Sequence, residues 1–551
     1  MRLVDSLLEQ LPQARTALDT FLAALAAQPH VVAKVNARHY SARLALWTRM
    51  LRQAPGDDLL AVRPDRRFRA GEWRDLPYFR FLREAYEEDA HWIGELVEAV
   101  QLPPELAQRA RFLAKQLVAA LAPTNQLATN PEAIRRAFAT GGASIRDGLE
   151  HLRRDVARGA ISMSDDSAFE VGRNLATSAG AVVFENQVMQ LIEYAPLTPT
   201  VHARPLLIVP PFINKYYILD LQKDNSFVHF ALERGLRVFM ISWRNAGSAL
   251  REATWEDYAR EGVLRAIDAV LQISGSSRLN ALGFCVGGTL LASTLAAAGG
   301  ARRVASLTLL ACLLDFSEVG EIGVYVDEQY VAGCEREFAD GGLVPGARIA
   351  WAFASLRPDE LVWFFVVNNY LEGKDPAAFD LLYWNADSAN VPGRLFAWYL
   401  RNMYRENRLR SPGTLSVCGR PVDLGRLRMP AYVLATREDH IVPWRSAWAG
   451  AHLLAGTIEF VLGASGHVAG IVAPPRTPRG FWHGTIPASD ADAWLRGATR
   501  DGGSWWEHWA RWMRTRSGAL KRAPGVPGSA AHPPIEAAPG RYVRERGVPT
   551  R

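Results

Sequence analysis

The chain has 551 residues, 49% of them hydrophobic and 22% charged, and a formal net charge of +6. That composition supports a large buried core in two domains with tails, and so modest a charge gives no reason to expect a nucleic-acid partner. The four cysteines, Cys285, Cys312, Cys334 and Cys418, show neither metal nor disulfide spacing, which suits a reducing cytoplasm.

The first ten residues carry charges where a secretory leader needs an apolar core, and no run of roughly 18 apolar residues occurs anywhere. Neither a leader nor a transmembrane segment is expected, although adsorption to a lipid-like surface stays open. Residues 1–185 read as a helix-rich interaction domain, with Leu3, Leu7, Leu8, Leu11, Leu18, Phe21, Leu22 and Leu25 at helical spacing. An α/β pattern then starts near Val182 and is clear at Pro205-Leu-Leu-Ile-Val-Pro. It continues through Arg237-Val-Phe-Met-Ile-Ser-Trp, the strand at Leu279, Ala281 and Leu282, and Ser306-Leu-Thr-Leu-Leu-Ala. This predicts a doubly wound, mostly parallel sheet over 186–520. Residues 315–425 are more than that core requires and are rich in aromatics, among them Trp351, Trp363, Tyr383, Trp384, Trp398 and Tyr399. They are expected to cap the site, the alternative being a larger core. Trp505, Trp506, Trp509 and Trp512 form an apolar stripe that predicts a docked last helix, and the Pro- and Gly-rich residues from 521 predict an extended tail.

The chemistry concentrates at Gly283-Phe-Cys285-Val-Gly287-Gly288, between a predicted strand and the helix beginning near Thr289. Glycines either side of Cys285 let the chain double back, lifting the thiol to the C-terminal edge of the sheet. This is the nucleophile turn of α/β-hydrolases, with sulfur in place of oxygen. The backbone N–H of Val286 faces a developing oxyanion, and a second amide is expected at Phe212 or Ile213, after the preceding strand. Downstream, Asp439 ends the apolar run Met429-Pro-Ala-Tyr-Val-Leu-Ala-Thr, and His467 sits in the small-residue loop after Ile458-Glu-Phe-Val-Leu. The order nucleophile, acid, histidine selects Cys285, Asp439 and His467 as the triad. Glu438 rivals the acid, His440 is the weaker base, and Asp439 has an alternative role as a helix N-cap. His483 and His508 lie in aromatic surroundings and read as packing or surface residues; no metal site is expected.

With these residues in view, the chain resembles the class I polyhydroxyalkanoate synthases of the α/β-hydrolase superfamily. The likeness lies in Gly-Phe-Cys285-Val-Gly-Gly-Thr-Leu, Arg-Glu-Asp439-His-Ile-Val-Pro-Trp and Leu-Gly-Ala-Ser-Gly-His467-Val-Ala-Gly. It extends to Asp65-Arg-Arg-Phe, Leu127-Ala-Thr-Asn-Pro-Glu132, Val209-Pro-Pro-Phe-Ile-Asn-Lys-Tyr-Tyr-Ile-Leu-Asp220, Asp380-Leu-Leu-Tyr-Trp-Asn385 and Pro539-Gly-Arg-Tyr-Val543. Phe212 and Ala246 depart from the pattern. The resemblance implies polymerisation of a 3-hydroxyacyl-CoA, short-chain such as 3-hydroxybutyryl-CoA, through a covalent Cys285 acyl intermediate with release of coenzyme A. It implies no cofactor beyond the coenzyme A of the substrate, a mobile lid, a homodimer, and a cytoplasmic enzyme at polymer granules with their associated proteins. A cysteine-dependent hydrolase or polyester depolymerase would use the same triad, and a non-catalytic granule-coating protein is a further alternative. Arg511, Arg514, Arg516, Lys521 and Arg522 read as a solvated face sooner than as a coenzyme A site.

Overall fold

The computed structural model describes residues 14–52, 65–297, 300–486 and 490–546. Leu3, Leu7, Leu8 and Leu11 lie outside them. The chain divides into two compact units, Met1–Asp165 with Ala352–Ala377, and Asp166–Trp351 with Ala378–Arg551.

The first unit is helical: α1 (Ala14–Ala27), α2 (Pro29–Arg52), α3 (Pro77–Ala99), α4 (Pro104–Ala120), α5 (Pro131–Ala139) and α6 (Ala143–Arg158). Proline opens α3, α4 and α5, where its missing N–H costs nothing. The side chain of Asn130 caps α5 by accepting from the amides of Glu132 and Ala133 at 2.9 and 3.1 Å. Phe68, Trp73, Tyr86 and Ala122 form a small core of their own. Residues 352–377, expected as part of the cap, belong to this unit instead. Gly148 on α6 has no room for a Cβ against the carbonyl of Tyr370, whose hydroxyl donates to Asp155 at 2.7 Å. The helical unit therefore stops at 165, short of the expected 185, and recruits a distant segment because α6 offers it a close-packing glycine and a buried acceptor.

The second unit is built on eleven strands: β1 (Gly180–Glu185), β2 (Met189–Tyr194), β3 (Leu206–Val209), β4 (Val238–Trp243), β5 (Leu279–Phe284), β6 (Val304–Leu310), β7 (Ala431–Thr436), β8 (Ile458–Gly463), β9 (Phe481–Thr485), β10 (Thr499–Asp501) and β11 (Glu536–Ala537). Their order across the sheet is β10-β9-β8-β7-β6-β5-β3-β4-β2-β1-β11. The six from β8 to β4 are parallel, and the flanks on both sides are antiparallel. Every residue of β3, β4, β5 and β7 is buried, as strands covered on both faces require. Register sets Val209 beside Gly283 and Gly283 beside Leu309, so β3, β5 and β6 end together where β5 turns into α7 (Val286–Ala297).

The tryptophan stripe lies on α8 (Trp505–Arg514). Trp505, Trp506 and Trp509 are buried, and their indole N–H groups donate to the carbonyls of Gly470 and Ile471 and to the Thr308 hydroxyl at 2.9, 2.9 and 3.1 Å. The segment after α8 is not the extended tail expected from its prolines and glycines. Leu520–Arg522 pairs with Thr200–His202, β11 pairs with β1, and Tyr542 and Val543 are buried. Hydrogen bonds to Thr200–His202 and to the edge strand β1 hold the segment.

Candidate active site

Cys285 occupies the junction of β5 and α7 with φ of 52°, a left-handed conformation that a residue bearing a Cβ seldom holds. The structure pins it from both sides. Its N–H donates to the carbonyl of Leu310 at 2.9 Å, and its carbonyl accepts from the N–H of Gly288 at 2.9 Å. The three glycines have separate steric reasons. A Cβ on Gly283 would fall on the Cα of Gly288, one on Gly287 would lie 2.5 Å from the carbonyl oxygen of Val209, and one on Gly288 would lie 2.8 Å from Cys312 Sγ. Trp243 anchors the end of β3 opposite, its indole N–H donating to the Pro210 carbonyl at 2.8 Å.

The acid and base arrive on loops after β7 and β8, which two backbone hydrogen bonds tie together. The Arg437 N–H donates to Gly463 at 2.9 Å and the Glu438 N–H to Ser465 at 3.0 Å. Nδ1 of His467 lies 2.7 Å from Asp439 Oδ2, and both side chains are buried. The Thr436 hydroxyl donates to Asp439 Oδ2 at 3.1 Å, while Oδ1 accepts from the N–H groups of Ile441 and Val442 at 2.9 and 2.8 Å. Asp439 is not the helix N-cap considered for it, since the helix Trp444–Ala451 is capped at Pro443; one of its oxygens closes the turn before that helix and the other holds the imidazole. Burial alone would raise the Asp439 carboxyl, but His467 and these donors hold it below its ordinary value. For His467, burial opposes the charge, yet Asp439 and then Cys285 raise it well above the usual histidine value. Its ring stacks on Phe284 with centroids 5.7 Å apart. With Nδ1 engaged by Asp439, the second ring nitrogen is the one left to serve the Cys285 thiol.

Val286 opens α7 immediately after Cys285. Phe212 is buried, its ring packed edge-on against Trp255 and Tyr258 at 6.1 and 5.3 Å between centroids, on the loop that leaves β3 beside the nucleophile turn. Behind the thiol, Cys312 is buried, which pushes it up to about 12, and it touches the Thr289 hydroxyl at 3.5 Å.

Two residues near Cys285 were not singled out as site residues by their place in the chain, Tyr399 and Tyr404. Burial raises both hydroxyls, and the charge of Cys285 acts on each. Their rings meet edge-on at 5.4 Å, Tyr399 stacks on Trp255 at 5.4 Å, and Phe316 closes on Tyr404 at 5.0 Å. They come from the helix Gly393–Tyr399 and the wide π-type turn Leu400–Arg405 directly after it. Aromatic density over 315–425 was the available signal. The π-type turn that aims Tyr404 left none in the residue pattern.

A thiol on a strand-to-helix turn at the C-terminal edge of a parallel sheet, with a buried carboxylate and imidazole on the loops after β7 and β8, marks an enzyme of the α/β-hydrolase fold with cysteine at the strand-to-helix turn. The comparisons agree: the family described as alpha/beta hydrolase fold matches residues 218–474, and that described as Poly-beta-hydroxybutyrate polymerase (PhaC) N-terminus matches 64–231. The chain is 46% identical to the poly(3-hydroxyalkanoate) polymerase subunit PhaC of Cupriavidus necator over 95% of this chain and 90% of that one. It is 41% identical to the subunit of that name from Rhizobium meliloti, over 91% and 84%, and 42% identical to poly(3-hydroxyalkanoate) polymerase 1 of Ectopseudomonas oleovorans, over 88% and 87%. The chain belongs to the poly(3-hydroxyalkanoate) polymerase family. Among the described residues, no helix is long and apolar enough to cross a membrane.

Proposed function

We propose that this enzyme polymerises (R)-3-hydroxyacyl-CoA, short-chain and best represented by 3-hydroxybutyryl-CoA, into polyhydroxyalkanoate through an acyl group carried on Cys285. The observation that carries the proposal is the buried His467–Asp439 pair, whose imidazole is acted on by Cys285, together with a Cys285 turn whose glycines admit no side chain. His467 takes the proton from Cys285 Sγ, and the thiolate adds to the thioester carbonyl carbon. The oxyanion is held by the Val286 N–H with a backbone amide at Phe212. Collapse breaks the carbon–sulfur bond to coenzyme A, which leaves as a thiol with the proton returned by His467. One thioester replaces another, so this step is close to energy-neutral. The 3-hydroxyl of a second acyl group then gives its proton to His467 and its oxygen to the acyl carbon, forming an ester and freeing Cys285. Asp439 keeps Nδ1 protonated and the ring aimed throughout.

Water entering at the acyl stage would yield free acid in place of polymer. The Tyr399, Tyr404, Phe316 and Trp255 wall supports exclusion of water and so favours the polymerase over a hydrolase on the same triad. The working form is a homodimer in the cytoplasm at the surface of polymer granules, with no cofactor beyond the coenzyme A of its substrate. The test is incubation of purified protein with 3-hydroxybutyryl-CoA, following thiol release and insoluble polymer together. Both appear with the native chain and neither with Cys285→Ala. Thiol release without polymer would establish a hydrolase instead.

A further inference from the structure

The antiparallel edge of the sheet and the last helix bring three metal-ligand side chains to one point, away from the Cys285 triad. Glu459 on β8, His483 on β9 and His508 on α8 offer ligand atoms that all lie within 4.8 Å of one another. Strand register explains the first two. Val461 is the partner of His483, and Glu459, two residues before Val461, shares its face. His508 follows the buried Trp505 by three residues, so the packing that docks α8 also sets this ring against the strand pair.

Two of the three separations are close to those of a coordination sphere. Glu459 Oε1 lies 3.3 Å from His483 Nδ1 and 3.6 Å from His508 Nε2. Ligands held tetrahedrally at about 2.0–2.1 Å from a zinc ion stand roughly 3.3–3.4 Å apart. The far nitrogens are also engaged. His483 Nε2 lies 3.3 Å from Asp501 Oδ2, and His508 Nδ1 lies 3.1 Å from the Tyr432 hydroxyl. A proton on each far nitrogen, donated outward, turns a lone pair of each ring toward Glu459, the arrangement by which outer partners orient ligating histidines. The charged groups acting on the cluster are the carboxylates Glu459 and Asp501 and the guanidinium groups Arg511 and Arg516.

We propose that Glu459, His483 and His508 bind one divalent transition ion, zinc being the best match for two imidazoles and a carboxylate, and that the ion clips α8 to the β8–β9 edge. The three side chains are 21%, 21% and 13% exposed, so an ion enters from solvent and its fourth position stays outside the protein. This site serves the hold on the last helix; the Cys285 chemistry does not pass through it.

The test uses the full chain, stripped of metal and carrying Cys285→Ala so that the thiol does not compete. Zinc is expected to raise the unfolding midpoint with a stoichiometry of one, and cobalt(II) to give the visible bands of a four-coordinate nitrogen–oxygen site. Glu459→Gln and His483→Gln are expected to weaken binding by more than ~100-fold, and Asp501→Asn by about 10-fold. His483→Gln is the decisive variant, since its side chain is part-exposed and its fold is checked by circular dichroism. Binding that survives unchanged in His483→Gln and Glu459→Gln would overturn the proposal. So would the absence of any midpoint shift or cobalt spectrum up to about 1 mM ion, which would leave a purely hydrogen-bonded cluster.

Discussion

In the proposed reaction, single side chains at Cys285, His467 and Asp439 decide most of the chemistry. Asp439 orients His467 without touching the thiol, so Asp439→Asn is expected to keep the fold and lower the rate of coenzyme A release by about 10²–10⁴-fold, measured by thiol titration against time. A loss of less than about threefold would show that the imidazole needs no carboxylate. The pair also shapes stability against pH. The Asp439 carboxyl is held below its ordinary value, so its contribution is full above about pH 4 and is lost as pH falls further. His467 is raised, so its contribution is full below about pH 6.5 and is lost as pH rises through the folded value. The gap in unfolding midpoint between the native chain and His467→Gln should therefore narrow as pH is raised from about 6.5 to 9. A gap that widens over that range would contradict the direction of the shift.

At the level of elements, the junction of β3, β5 and α7 does the positioning. Gly287 is the tightest part of it, because an added methyl group meets the carbonyls of Val209 and Pro210, both backbone and both fixed by sheet and indole hydrogen bonds. Gly287→Ala is expected to cost about 1–3 kcal/mol of stability and to lower activity further by moving the Phe212 loop, the two being separated by denaturant titration and assay. Unchanged stability would mean that the end of β3 yields freely. This junction was legible in the sequence because a sharp strand-to-helix turn leaves its mark in glycines. The wall of Tyr399 and Tyr404 was not, since one wide helical turn places Tyr404 of a dense aromatic stretch against Tyr399 and Phe316. Nor were His483 and His508 readable as a cluster, because strand register and helix docking bring them together from distant positions.

For the whole molecule, the last residues matter more than their composition suggests. β11 completes the sheet on β1, Gly528 donates to the buried Glu193, and Tyr542 caps the β2 end through its contacts with Gln190 and Asn186. Truncation after residue 534 is therefore expected to lower the thermal midpoint of the chain markedly, as read by calorimetry. An unchanged midpoint would return this segment to the status of an appended tail. The sequence by itself determined the α/β sheet and the order of Cys285, Asp439 and His467, because burial on both faces and a tight turn impose local patterns that survive in one dimension. Only the tertiary structure decided where 352–377 belongs, that 520–522 pairs with Thr200–His202 and β11 with the sheet edge at β1, and which aromatics and histidines converge. Those outcomes depend on edges and surfaces that exist only once the strands have paired, so no local pattern records them.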